Sequence, residues 1–142
     1  MIVRGMTPRD LGAAAELSGQ LGYRSTEEEV ERRFRDLARD RDGAALVADD
    51  GGGRVLGWIH VCGRRFLESD PVAEVVGLVV DASTRRQGIG RALLREAEKW
   101  ARGRGYSTLR IRSNLKRAEA KPFYERMGYQ VIKSQWVFQR TL

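Results

Sequence analysis

An α/β fold, with a mixed sheet of the α+β kind covered by helices on both faces, is predicted by three features of this sequence. The hydrophobic period changes along the chain in the order strand, two helices, three strands, helix, strand, helix, strand. One run, Val72 to Asp81 (VAEVVGLVVD), is apolar almost without a break, so it belongs near the sheet centre. Immediately after it comes TRRQGIGRA, Thr84 to Ala92, a glycine-bearing turn that leads straight into a helical pattern. The length, 142 residues, suits one domain spanning 1–142, and 42% hydrophobic residues suffice for one core.

Ile2 to Arg4 reads as a short first strand. Thr7-Pro8-Arg9-Asp10 then opens a helix, with Thr as N-cap and Pro at the first helical position. Leu11, Ala14, Ala15, Ser18 and Leu21 recur at helical spacing. In STEEEVERRFRDLARD, capping boxes are available from Ser25 to Glu28 or from Thr26 to Glu29, and Val30, Phe34, Leu37 and Ala38 form an apolar stripe. Ala44 to Ala48 and Val55 to Gly63 flank the turn DDGGG as an antiparallel hairpin. Beyond the central strand, Ala92, Leu93, Ala97, Trp100 and Ala101 mark a helix ended by Gly103 and Gly105. Thr108 to Arg112 alternates as a strand and AEAKPFYERM is a short helix closed by Gly128. The end, YQVIKSQWVFQRTL, is expected to be a long strand with Ile132, Trp136 and Phe138 on one face.

Composition narrows the function classes. The single cysteine, Cys62, cannot form an internal disulfide, and MIVRGMTPRD has no signal-peptide pattern, so a cytoplasmic location is expected. No apolar run approaches the roughly 20 residues that span a bilayer, and a membrane role has no support. A net charge of +7 favours polyanions without choosing among them. Nucleic acid is disfavoured, because the aromatics follow core periodicity instead of alternating with basic residues. Trp58, His60 and Cys62 share one side of a strand. One His and one Cys are too few for a zinc site, so no metal is expected.

A strand, a glycine-rich turn and a helix N-terminus together make a ready anion site, since backbone N–H groups and the helix dipole point at the ligand. Two phosphate loops do not fit. The P-loop needs G-x-x-x-x-G-K-[ST], and the dinucleotide fingerprint G-x-G-x-x-G needs glycine where this chain has Leu93. Arg85-Arg86-Gln87-Gly88-Ile89-Gly90 after LVV, followed later by Asn114 and FYERMGY, resembles the motif set of the GNAT superfamily of N-acetyltransferases. The resemblance is most specific from Glu74 to Tyr129. It implies a central, mostly antiparallel twisted sheet of six to seven strands with helices on both faces, and acetyl-CoA as cosubstrate. It further implies that backbone groups of Leu78, Val79 and Val80 pair with the pantetheine arm. The loop Arg86, Gln87, Gly88, Ile89, Gly90, Arg91 would hold the pyrophosphate, with Arg85 adding charge, and Asn114 and Tyr124 would contact the pantetheine end.

Acetyl transfer needs a neutral amine, stabilisation of a developing oxyanion and a proton for the departing thiolate. Tyr124 stands at the position of the family's general acid. Glu74 is the candidate base or water-positioner: an ionisable residue inside an apolar strand, where burial would raise its pKa. In an unbroken strand it shares parity with Leu78 and Val80; a bulge would reverse that parity. Ala82 and Ser83 stand where the family often has proline, which leaves a looser turn. For the acceptor, the fold implies Leu21-Gly22-Tyr23, Phe66 to Asp70 and Gln135-Trp136, and Trp58 and His60 are candidates for its wall. A small-molecule primary amine is the leading acceptor. A protein N-terminus or lysine, and a non-catalytic coenzyme A binding module, stay open as alternatives. So does a homodimer built on the terminal strand.

Overall fold

All 142 residues are described by the structure, a computed structural model, and their contacts cluster in two units, Met1–Arg112 and Ser113–Leu142. In the first unit the chain runs through β1 (Ile2–Gly5), a 3-10 turn (Pro8–Asp10), α1 (Leu11–Gln20), α2 (Glu27–Ala38), β2 (Gly43–Asp49), β3 (Val55–Arg64), β4 (Val72–Val80), a second 3-10 turn (Ala82–Thr84), α3 (Ile89–Gly103) and β5 (Leu109–Ile111). The second unit contains one helix, α4 (Ala120–Arg126).

Local chemistry sets the element ends. Of the two possible capping boxes before α2, the one that forms is Thr26 with Glu29: Glu29 N donates to Thr26 Oγ1 at 3.1 Å and Thr26 N donates to Glu29 Oε1 at 3.0 Å. At the first turn, Asp10 accepts from Thr7 N at 2.7 Å, and the Arg4 guanidinium grips both Asp10 oxygens at 2.8 and 2.9 Å while its Nε reaches Asp49 at 3.1 Å. Arg4 thereby ties β1 to the entrance of α1 and to β2. In the β2–β3 hairpin, Asp49 Oδ1 accepts from Gly51 N and Gly53 N at 2.8 and 3.0 Å, which folds DDGGG into its turn.

The sheet order is β1-β2-β3-β4-β5, with four antiparallel strands and β5 parallel to β4. α3 covers one face: a Cβ on Gly57 would come within 3.2 Å of Leu93, and Ile89, Leu93, Leu94, Ala97 and Ala101 are buried there. Trp58, the next residue on β3, points to the other face, where it packs with Val47, Val79 and Leu17 of α1. Ile59 and Leu93 are wholly buried, and truncating either to alanine should cost about 2–5 kcal/mol. α2 buries none of its residues completely, and its stripe of Val30, Phe34, Leu37 and Ala38 covers the sheet only loosely.

Five strands form where six to seven are expected. The stretch from Tyr129 onward belongs to no strand, and Ile132, Trp136 and Phe138 are exposed instead of sharing a buried face. Alternation in a sequence says which side a strand would bury. It cannot supply the neighbouring ladder that makes the segment a strand.

Candidate active site

The central strand is paired on both edges along only part of its length. β4 pairs with β3 as far as Val80, but with β5 only at Ala73, Glu74 and Val75. From Val76 onward, the β5-side edge of β4 carries no strand. Its separation begins at a bulge: His60 pairs with Gly77 and Val61 with Val75, so Val76 is the extra residue. Leu78, Val79 and Val80 therefore lie on an edge whose backbone is open to an extended ligand, as in strand addition.

The bulge overturns the parity expected for Glu74. Glu74 stands opposite Cys62, whereas Leu78 and Val80 stand opposite Ile59 and Gly57. Glu74 thus shares the face of Cys62, His60 and Trp58, and Leu78 and Val80 share the α3 face. Nor is the carboxylate isolated. It is buried, with Arg64 Nη1 at 3.0 Å on one oxygen and Arg112 Nε at 2.8 Å on the other. The expectation built on burial alone omits these two cations, which compensate the desolvated charge. Any proton or water that uses Glu74 must share its oxygens with guanidinium donors.

At the end of β4 the chain is fastened from two sides. Gln20 of α1 accepts from Ala82 N at 2.8 Å, Arg54 of the hairpin meets Asp81 at 3.0 Å, and Asp81 accepts from Ser83 N at 3.1 Å. This network holds a turn that the missing proline was expected to leave looser, and its members come from 62 and 27 residues away in sequence. The chain then reverses through two left-handed residues, Arg86 at φ 67° and Gly88 at φ 79°. Glycine suits the second site because a side chain there would strain the backbone. Ile89, buried, anchors the start of α3, and Ala92 N donates to Gly88 O at 3.0 Å as its first turn closes. The amides ahead of Ala92 are those a helix leaves free for an anion. Arg85, Arg86, Gln87 and Arg91 are exposed around them, and the three arginines make no ion pair.

On the face shared by Glu74, the Trp58 ring lies over Gly77: a Cβ on Gly77 would sit 2.7 Å from the indole. The indole Nε1–H is buried with no hydrogen-bond partner, which leaves a donor beside the bulge. Burial pushes the His60 imidazole below its ordinary value and the Cys62 thiol above its own. Cys62 is accordingly a poor nucleophile at neutral pH. His60 also lines a cavity of about 210 Å³ beneath α2, with Phe34, Leu37, Asp40 and Ala45. A larger depression of about 680 Å³, which includes Asp70, Asp42, Arg104 and Tyr106, lies at the C-terminal end of α3. That helix is 15 residues long, so this depression is roughly 22 Å from the glycine loop, and its size does not make it part of the site.

The second unit carries the other two expected site residues. Asn114 makes a turn, its Oδ1 accepting from Lys116 N at 3.0 Å and its carbonyl from Arg117 N. Tyr124 lies on α4 with its ring edge-on to Phe123 at 5.1 Å and to Tyr129 at 6.2 Å. Burial raises the phenol above its ordinary value of 10, so it keeps its proton at neutral pH.

An open central edge that ends at a glycine-turned helix start is the arrangement the motif resemblance implies, and comparison with known proteins bears on the family. The model of the acetyltransferase (GNAT) family matches residues 13–129. The chain belongs to the GNAT acetyltransferase family. It is an acyltransferase of a family whose donor is acetyl-CoA. It is 32% identical over 105 residues to an aminoglycoside N(6')-acetyltransferase type 1 of Klebsiella aerogenes, covering 72% of this chain and 69% of that one. A protein of the same description from Stenotrophomonas maltophilia is 29% identical over 145 aligned residues, covering 99% and 93%. Among solved structures, AAC(6')-Iy in complex with the bisubstrate analog CoA-S-monomethyl-acetylneamine superposes with a TM-score of 0.86 at 16% identity, covering 99% and 98%. This last likeness is one of fold. The GNAT loop and edge in this chain fit a long ligand with an anionic head: free amides and unpaired arginines at one end, open strand backbone at the other.

Proposed function

We propose that this chain acetylates a primary amine of a small, multiply cationic molecule of the aminoglycoside type, by direct attack in a ternary complex. The observation that carries the reading is the unpaired β4 edge, Leu78 to Val80, running into the Gly88 turn. Acetyl-CoA supplies a thioester-activated acetyl group. Backbone groups of Leu78, Val79 and Val80 align its arm, and the Gly88 to Arg91 amides with Arg85, Arg86 and Gln87 hold its phosphates. Asn114 is proposed to contact the pantetheine arm, as the family motif implies.

Tyr124 protonates the departing thiolate, a role supported by its motif position and by a phenol that holds its proton at neutral pH. Glu74 serves as base or water-positioner, fixed by Arg64 and Arg112 on the side of the sheet that bears His60. The cavity under α2 supports the acceptor class. His60, on the wall of this cavity, pairs with Gly77 beside the bulge, and Asp40 offers a cationic amine a counter-charge. The descriptions of the two curated relatives favour the same class. One domain, 1–142, a cytoplasmic location and an acceptor that is neither nucleic acid nor membrane complete the proposal.

The test is a thermal-shift titration with acetyl-CoA, followed by an amine panel of aminoglycosides, polyamines and lysine peptides read by free-thiol release. Stabilisation by acetyl-CoA with turnover on aminoglycosides is expected. Turnover confined to peptides would transfer the proposal to a protein acetyltransferase. Absence of any acetyl-CoA stabilisation would remove the donor assignment.

A further inference from the structure

We propose that a small anion, the phosphate or carboxylate group of a ligand, binds beside Arg110 on the sheet face that bears Glu74. Strand register sets the position. β5 runs parallel to β4 with Arg110 opposite Glu74, so the two side chains leave the sheet on the same face. Arg112, two residues further on, reaches Glu74 from that face. Arg64 does so from β3, two residues beyond Cys62, which stands opposite Glu74 on the other side. Three guanidinium groups therefore gather at one carboxylate.

Glu74 serves two of the three, giving one oxygen to Arg64 at 3.0 Å and the other to Arg112 at 2.8 Å. The third is left over. Arg110 makes no ion pair, and its Nε is buried without a hydrogen-bond partner. Buried polar groups nearly always have a partner, and an arginine cannot escape the cost by giving up its proton as a lysine can. An acceptor is what the site lacks. The guanidinium fork matches two oxygens of a carboxylate or a phosphate, and Arg64 and Arg112, with 46% and 48% of their side chains exposed, stay accessible to the same ligand.

This site is separate from the two ligand regions already described. The glycine loop begins beyond the far end of β4, roughly 20 Å along the strand from Glu74. The cavity with Asp40 and His60 lies by β2 and β3, so a cationic acceptor and this anion meet different strands. Because the anion and Glu74 draw on the same arginines, they compete for donors. Removing the charge of Glu74 should therefore tighten the anion, whereas an anion at the glycine loop would be indifferent to it.

The test follows the arginine Nε–H signals of ¹⁵N-labelled protein during titration with inorganic phosphate and with malonate, at an ionic strength held constant with chloride. It needs neither acetyl-CoA nor an amine, so its outcome is independent of the proposed reaction. The Arg110 signal is the one lost in Arg110→Lys. A saturable shift of that signal is expected with at least one of the two anions, half-complete below about 10 mM. Tighter phosphate assigns a phosphorylated ligand, and tighter malonate a carboxylate one. Glu74→Gln should lower the half-saturation point about 10-fold. An Arg110 signal that moves no more than it does under chloride alone overturns the proposal. So does a saturable shift confined to Arg85, Arg86 and Arg91, which would place the anion at the glycine loop only. Affinity that is unchanged or weaker in Glu74→Gln is a third overturning result, because it separates the anion from the arginines of Glu74.

Discussion

Glu74 and Leu78 project from opposite faces of β4, because Val76 between them has no partner on β3. Counting residues would place them together. The extra residue turns the carboxylate toward His60 and Cys62 and leaves the strand edge beyond it open, so one bulge sets both the face of the candidate base and the place where a ligand can pair.

Glu74→Gln removes the charge that Arg64 and Arg112 share. Both arginines are about half exposed and can rehydrate, so the expected stability loss is about 1–3 kcal/mol in denaturant unfolding. If Glu74 handles the acceptor's proton, kcat also falls and the acidic limb of the pH–rate profile moves. A variant that is less stable but keeps kcat and profile would make the residue an anchor only.

Tyr124→Phe deletes a hydroxyl and little volume. Turnover should fall roughly 10²-fold while acetyl-CoA affinity stays near normal, as loss of a general acid requires. Steady-state kinetics beside calorimetric coenzyme A binding decide this, and unchanged kcat would end the assignment.

Gly88 is needed for its backbone and not for lack of space, since nothing lies within 4 Å of a Cβ placed there. Gly88→Val should cost about 1–2 kcal/mol or more and weaken coenzyme A binding, whereas Gly88→Asn, which tolerates a left-handed site, should retain most of both. Equal affinity in the valine variant would show that the left-handed turn is dispensable for the phosphates.

His60 gives stability a pH dependence of known sign. Its folded pKa lies below the ordinary 6.5, so on acidification the unfolded chain takes up the proton first. The stability this neutral imidazole contributes is present above about pH 6.5 and is lost as pH falls below it. His60→Gln should remove that component from a plot of Tm against pH between 5 and 8. Asp10 acts in a lower window: Arg4 holds its carboxyl below the ordinary 3.8, so its contribution is lost only in stronger acid.

Gly77→Ala would press a methyl group against the Trp58 ring. A loss of about 1–3 kcal/mol from overpacking is expected, with a shifted tryptophan emission and a raised KM for the amine if the ring walls the acceptor pocket. A normal KM would place Trp58 in the core alone.

Sequence by itself determined what depends on neighbours along the chain. The period of α3, the Thr26 capping box, the DDGGG hairpin and the RRQGIG turn are local agreements of side chain and backbone, and each appears where its residues stand. The family was within reach for the same reason, because the glycine turn that carries most of the resemblance is one short, contiguous stretch. Tertiary structure alone decided what depends on residues distant in sequence. Arg64 and Arg112 converge on Glu74 from two other strands or strand ends, Gln20 and Arg54 fasten the turn after β4, and the bulge at Val76 exists only as a mismatch with β3. The terminal segment makes the same point from the other side: its alternation is plain in the sequence, but a strand also needs a partner, and no pattern within one segment can provide it.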